Sequence, residues 1–286
     1  MKYHHIPVMQ KEVIHYLAPK KNQNFIDSTL GLGGHTQAIL DKTAPNGKLL
    51  AIEQSEKGLN EAKKNLQKYK NRIVFICNNF RNLSQIVRDN DFEPVSGVLF
   101  DLGLASWQIE DSNLGISFTK DMPLDMRLDE KSEISASDIL NTYNEKQLSN
   151  LFYYFGDIKK NRHLVKKIIN RRQEKKFAST ADLIETVGSN NPKVLAPIFQ
   201  SLRIEVNHEL ENLTQVLPQI TDILAPKGKI IVISYHSGED RIAKNFFRAN
   251  KDKFKILTKK PLTASFKEIK ENSRARSAKL RAGERI

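Results

Sequence analysis

The stretch Phe25 to Leu40, FIDSTLGLGGHTQAIL, runs from a short apolar segment through glycines into a helical pattern. Gly31, Gly33, Gly34 and His35 stand at the turn, where the first amides of a helix can hold a phosphate or a carboxylate. Side chains there would keep a ligand off the backbone, although a tight turn with no ligand is the plainer alternative. A dinucleotide loop has a third glycine three residues after the second. That place is Thr36, which argues against a nicotinamide cofactor. Glu53 follows Gly34 by nineteen residues and ends the apolar run KLLAIE. A carboxylate at that offset accepts hydrogen bonds from both ribose hydroxyls and repels a 2′-phosphate. With the glycine loop it points to an adenosine-containing ligand. Phe80, after RIVFIC, reads either as a face for an adenine ring or as core. Asp101 ends VSGVLFD, where its carboxylate can meet an ammonium or an amine proton, or cap a neighbouring helix. Trp107 and Gln108 follow on the same loop, and Trp107 either stacks on a base or packs beneath it.

These residues need a frame. The runs NFIDS, KLLAIE, RIVFIC and VSGVLFD are short, rich in Ile, Val, Leu and Phe, and bounded by turn residues, as buried parallel strands are. Helical stretches separate them, so the connections are right-handed crossovers over a sheet covered on both faces. Ligands bind outside the carboxyl ends of such strands, where the glycine loop, Glu53, Phe80 and Asp101 all fall. After Asp101 the alternation stops in GLASWQIEDSNLGISFTKDMPLDMRLDE, a long irregular segment that suggests function. From about Ser135 to Glu211 the pattern is almost wholly helical, and STADLIETV opens with a capping box of Ser179 and Asp182. LTQVLPQITDILAPKG reads as a helix broken by Pro218 and closed by Pro226-Lys227-Gly228. KIIVISY is the clearest buried strand. SGEDRIAKNFF starts a helix with Ser237 and Asp240 as a second capping box, and SAKLRAGER reads as a final edge strand. The fold class is α/β, a doubly wound, mostly parallel sheet over 1–112 and 207–286. An inserted loop and all-helical domain spans 113–206.

A chain of 286 residues can bury a sizeable core in one large domain or two modest ones. Its single cysteine, Cys77, excludes an internal disulfide and a cysteine-based zinc cluster. The start MKYHHIPVMQ lacks the basic-then-apolar pattern of a signal peptide, and no apolar run nears the ~18 residues of a membrane helix. A cytoplasmic protein with no membrane partner is expected. The net charge of +13 is uneven: residues 241–286 hold 15 Lys/Arg against 4 Asp/Glu, leaving +2 for the rest. A second cluster, Lys159 to Lys176, has nine Lys/Arg against Glu174. Either these are solvated faces or they meet a polyanion, and charge does not choose between RNA, DNA and an acidic surface.

Seven ordered blocks carry a more specific signal: HIPVMQKEVIHYL, DSTLGLGGHT, DLGLASWQIED, GISFTKDMPLDMRLD, FQSLRIEVNHEL, ISYHSGEDR and NSRARSAKLRAGER. From His5 to Arg285 they resemble the bacterial 16S ribosomal RNA cytosine-N4 methyltransferase family, known as RsmH or MraW. The resemblance implies a Rossmann-like S-adenosylmethionine-dependent methyltransferase domain with a helical substrate-recognition insertion. The implied target is a cytosine N4 in the decoding centre of 16S rRNA, in the small ribosomal subunit, with the oligomeric state left open. Carried over by position, the S-adenosylmethionine contacts fall on Gly33, Gly34, His35, Glu53, Phe80, Asp101 and Gln108. Glu53 stands where the family usually has Asp, Trp107 where it has Pro, and Gly238 where it has Leu.

A methyl on a sulfonium needs no metal to leave, so the difficulty lies in the acceptor. The N4 lone pair is delocalised into the ring, and the base must be flipped and held in line with the methyl–sulfur bond. Acceptors for the N4 protons would favour the transition state. Asp101, Asp125, Arg127, Asn207 and His236 are the candidates. Asp125 with Arg127 also reads as a salt bridge holding the loop, and His236 as a helix cap. DLGLAS after the fourth strand lacks the Asp/Ser-Pro-Pro-aromatic motif of DNA cytosine-N4 enzymes. The two basic stretches would supply phosphate contacts, which position RNA without reading its sequence. The rivals are an NAD oxidoreductase, a methyltransferase with another acceptor, and a non-catalytic RNA-binding protein on the same scaffold.

Overall fold

The computed structural model describes residues 6–104, 108, 114–129 and 132–286. Its elements run α1 (Gln10–Leu17), β1 (Asn24–Asp27), α2 (Gly34–Thr43), β2 (Leu49–Glu53), α3 (Glu56–Asn65), β3 (Ile73–Cys77), α4 (Leu83–Asp89) and β4 (Val95–Asp101). Five helices follow: α5 (Ala136–Thr142), α6 (Glu145–Gly156), α7 (Arg162–Glu174), α8 (Thr180–Val187) and α9 (Pro192–Asn207). The chain then forms α10 (Glu209–Val216), α11 (Ile220–Ile223), β5 (Leu224–Ser234) and α12 (Ser237–Ala249). It ends with β6 (Phe254–Ile256), β7 (Leu262–Thr263), α13 (Phe266–Glu271) and β8 (Lys279–Arg285). Two compact units result, Met1–Leu104 with Leu210–Ile286, and Ala105–Glu209. The seams differ from the sequence boundaries of 112/113 and 206/207. Sheet pairing stops at Asp101, and α9 carries the helical unit on to Asn207. No helix among the described residues is long and apolar enough to cross a membrane.

In the first unit the sheet order is β3-β2-β1-β4-β5-β8-β6, with β7 also on β8. β1 to β5 pair parallel, and the order reverses between β1 and β4, which is the topological switch point. Alternate residues feed opposite faces, as the period of two requires. Phe25, Leu49, Leu99 and Ile231 pack beneath residues of α1, α2 and α3. Ile26, Leu50, Val98 and Val232 pack beneath residues of α4, α10 and α12. Burial on both faces explains why these strands read as unbroken apolar runs.

Two expectations change here. β8 is not an edge strand: it lies between β5 and β6, antiparallel to both, with Leu280 and Ala282 in the core. β5 begins at Leu224, so Pro226-Lys227-Gly228 lies within the strand rather than before it. The register there jumps from Val95↔Leu224 to Gly97↔Lys229, and Lys227 sits at φ 63.

The helical unit has its own core, with Leu140, Phe152, Ile168, Phe177 and Leu202 among its buried side chains. Capping boxes open α5 (Ser135, Asp138), α6 (Asn144, Gln147) and α8 (Ser179, Asp182). Much of the segment ahead of it is irregular, and its residues 105–107, 109–113 and 130–131 lie outside the described residues.

Candidate active site

β1 runs into a loop in which Gly31 and Gly33 take φ of 52° and 87°. Both lie in the left-handed region that glycine tolerates best. Ligand approach is not what requires all three glycines. A Cβ on Gly33 would stand 2.6 Å from Leu66 Cδ1, and one on Gly34 would collide with the Pro7 ring. Only at Gly31 would a Cβ meet open space, with no heavy atom within 4 Å. Gly33 is the N-cap of α2 and offers no side-chain cap, and the first turn carries no acid. The opening amides of α2 are therefore available to an anion.

Glu53 ends β2 and is buried. Its Oε2 accepts the Gly31 N–H at 3.1 Å and its Oε1 the Ser55 N–H at 3.0 Å. Burial raises its pKa to about 7, against the pull of those two bonds. Asp27, at the end of β1, is 1% exposed; it accepts the Thr36 hydroxyl at 2.8 Å and the Thr29 N–H at 3.2 Å. Desolvation pushes its carboxyl up, opposed by the nearby His35. Thr36 thus uses its hydroxyl to tie the start of α2 to β1, at the place where a dinucleotide loop would have its third glycine.

Asp101 ends β4. Its backbone N–H donates to Thr29 Oγ1 at 2.7 Å, and its Oδ1 accepts the Tyr235 hydroxyl at 2.7 Å. Burial first, and then Asp101, hold the Tyr235 phenol well above its ordinary pKa, so it stays a donor. Tyr235 follows β5 directly, and its ring fits beneath Gly103, where a Cβ would stand 2.8 Å from it. The other Asp101 oxygen lies 3.5 Å from His35 Nε2. His35 is buried, and neither ring nitrogen makes a hydrogen bond. An unsatisfied buried imidazole at the mouth of a loop marks a place for a ligand. Phe80 is half-buried after β3, its ring edge-on to Phe100 at 5.7 Å.

Asp125, Arg127 and Asn207 belong to the second unit and form one constellation there. Arg127 holds Asp125 by two bonds of 2.7 Å, which keep that carboxyl below its ordinary range. Asn207 donates to the carbonyls of Met126 and Arg203 at 2.9 and 2.8 Å and accepts the Leu128 N–H at 2.8 Å. Both arrangements hold the irregular segment in place. Gln108 is buried in this unit, and Trp107 lies outside the described residues.

His236, not Ser237, caps α12. Its Nδ1 accepts the Gly238 N–H at 3.2 Å, while Glu239, not Asp240, reaches back to the Tyr235 and His236 amides at 2.7 and 3.3 Å. Asp240 is drawn instead to Arg281 on β8, Oδ1 to Nε at 2.7 Å. The cap sets the backbone of Tyr235, and so the hydroxyl that meets Asp101.

The model of the MraW methylase family matches residues 2–286. The chain belongs to that family. A curated relative from Dictyoglomus turgidum, named ribosomal RNA small subunit methyltransferase H, is 45% identical over 98% of this chain and 97% of its own length. One of the same name from Heliobacterium mobile is 36% identical over the whole of both chains. A solved structure from Clostridium thermocellum covers 99% of this chain and 100% of its own at 15% identity, with a TM-score of 0.50, a likeness of fold. The family makes the chain a methyltransferase and the fold Rossmann-like, as its resemblance to the family implied. S-adenosylmethionine is the cofactor of such enzymes. The residues present fit it: two carboxylates, an uncapped helix start, a buried imidazole whose nitrogens make no hydrogen bond, and open space above Gly31. An NAD oxidoreductase and a non-catalytic scaffold are set aside.

Sequence reasoning missed three residues. Asp27 stood in plain view as the last residue of β1. Tyr235 ends the KIIVISY run, yet its partner lies 134 residues earlier. Pro7 packs against Gly34, and nothing in its own segment announces that contact.

Proposed function

We propose that the protein moves the methyl group of S-adenosylmethionine to the exocyclic N4 of a cytosine in the decoding centre of 16S rRNA. It acts on the small ribosomal subunit, in the cytoplasm. Supporting this are the family and the name its relatives carry. The observation that carries the reading is the cluster of Glu53, Asp27, Asp101, His35 and Tyr235 around an uncapped helix start.

Glu53 accepts the ribose hydroxyls with the lone pairs that Gly31 and Ser55 leave open. The amides of Gly34 and His35 hold the carboxylate of the amino-acid end, and Asp101 meets its ammonium. Phe80 offers a ring to adenine. When bound, the cofactor supplies a methyl group on an excellent leaving group. The chain must hold the N4 nitrogen in line and accept the proton that N4 loses. Asp101 leads as that acceptor through the one oxygen that Tyr235 leaves open, and it serves there only when that oxygen is not on the ammonium. Asp125 is committed to Arg127, Asn207 to backbone groups, and His236 to its helix cap.

Labelled S-adenosylmethionine would be incubated with unmethylated small subunits, naked 16S rRNA and duplex DNA, and the products digested to nucleosides for mass spectrometry. N4-methylcytidine from the subunits is the expected product. Label in DNA, in protein or in another nucleoside refutes the proposal.

A further inference from the structure

Four of the nine cations between Lys159 and Lys176 are spent inside the helical unit. Lys167 donates to the Val187 carbonyl at 3.3 Å, and Arg172 to the carbonyls of Leu140 and Tyr143 at 3.0 and 2.6 Å. Arg171 and Lys175 pair with Asp182 at 3.0 and 3.2 Å. Lys159, Lys160 and Arg162 differ: they are exposed, and among the described residues none pairs with a carboxylate. With Lys146 they line a shallow, open cavity of about 550 Å³ whose lining holds a single acid, Glu145.

The cavity wall is built. Asn161 is 4% exposed; its amide donates to the carbonyls of Ser149 and Ile158 at 2.8 and 3.0 Å and accepts the Ser149 hydroxyl at 2.9 Å. This pins the turn before α7 to α6, so the cations sit around one opening. Their sign is wrong for their position. A helix start carries partial positive charge, yet α7 has no acid in its first turn and no side-chain cap. The cluster sets four cations against one acid around the opening. Beside it, Tyr153 shares the outer face of α6 with Lys146 and Asn150, at helical spacing, and is 46% exposed.

We propose that this cavity is a phosphate subsite for a single-stranded stretch of the RNA substrate, with Tyr153 stacking on an unpaired base next to the bound phosphate. The proposal rests on the RNA-methylating reading above. A cation cluster holds backbone without reading sequence, and an exposed ring takes any unpaired base, so together they select single-stranded RNA over duplex.

The test titrates a fluorescently labelled single-stranded RNA oligomer into the full chain by anisotropy, from low to physiological salt, with methyl transfer to small subunits followed in parallel. The variants are the triple Lys159→Gln/Lys160→Gln/Arg162→Gln, Tyr153→Ala, and a control, Lys20→Gln/Lys21→Gln, two exposed lysines ahead of β1. The triple variant should bind at least about tenfold more weakly, with a log–log salt slope shallower by about one, as loss of one or two phosphate contacts predicts. Its Tm should hold, because all three side chains are exposed and none is paired with a carboxylate among the described residues. Tyr153→Ala should weaken binding about tenfold with the slope unchanged. The control should match the wild type. A triple variant that binds within twofold of the wild type at the same slope overturns the subsite. Duplex DNA bound as tightly, and indifferent to Tyr153→Ala, overturns the single-strand assignment. If the wild type methylates no RNA, the functional reading fails, and the binding arm still decides the subsite.

Discussion

At the scale of single residues the site turns on two carboxylates with different surroundings. Asp101 keeps one oxygen on the Tyr235 hydroxyl at 2.7 Å. Tyr235→Phe preserves the packing and removes that donor. A hydrogen bond to a charged group is worth about 1.5–3 kcal/mol, so Tm should fall by several degrees, and cofactor affinity and turnover should fall roughly tenfold as Asp101 loses its fixed orientation. Stopped-assay kinetics beside thermal unfolding would check it. Glu53 has a raised pKa, about 7 against 4.5. As pH rises the unfolded chain loses this proton first. The stability Glu53 contributes is thus complete below pH 4.5 and lost through about pH 7, a span of about 3 kcal/mol. Urea unfolding of the wild type and Glu53→Gln across that range should show the fall only in the wild type. Cofactor affinity should move the other way, rising from pH 6 to 8, because the ionised form accepts the ribose hydroxyls.

At the scale of elements, much of the frame was legible and its neighbours were not. β1 to β4 stood out because burial on both faces makes an apolar run, and the ends of two such runs place Glu53 and Asp101 without further knowledge, while Asp27 ends a third and was missed. The position of β8 was not legible, since an antiparallel return can join an edge or fill a gap with the same residues. The start of α12 shows the same limit. Ser237 with Asp240 and His236 with Glu239 both fit a capping pattern, and the choice is made by Arg281, 41 residues on, which claims Asp240. Loop geometry gives two predictions here. Gly33→Ala places a Cβ at φ 87° against Leu66 and should cost about 2 kcal/mol, read as a lowered urea midpoint. Asn207→Ala leaves the Met126 carbonyl and the Leu128 amide without their side-chain partner. It should destabilise the helical unit by about 2–3 kcal/mol, seen as faster hydrogen exchange at 126–128.

At the scale of the whole molecule, charge was legible in amount and misleading in place. The basic stretch 241–286 reads from its charge as a source of phosphate contacts, yet it folds into α12, β6, β7, α13 and β8. Within it Arg281 is buried against Asp240, and Arg285 donates to the Leu224 carbonyl. Cations that close a sheet are not available to RNA, and no local pattern separates them from those that are. The proposed methyl transfer needs a cofactor site at the carboxyl ends of β1, β2 and β4. Isothermal titration of S-adenosylmethionine into the wild type, Glu53→Gln and Asp101→Asn at pH 8 addresses it most directly. The predicted result is one site per chain in the wild type, with affinity reduced at least about tenfold in each variant while both remain folded. Wild-type affinity in either variant would contradict it.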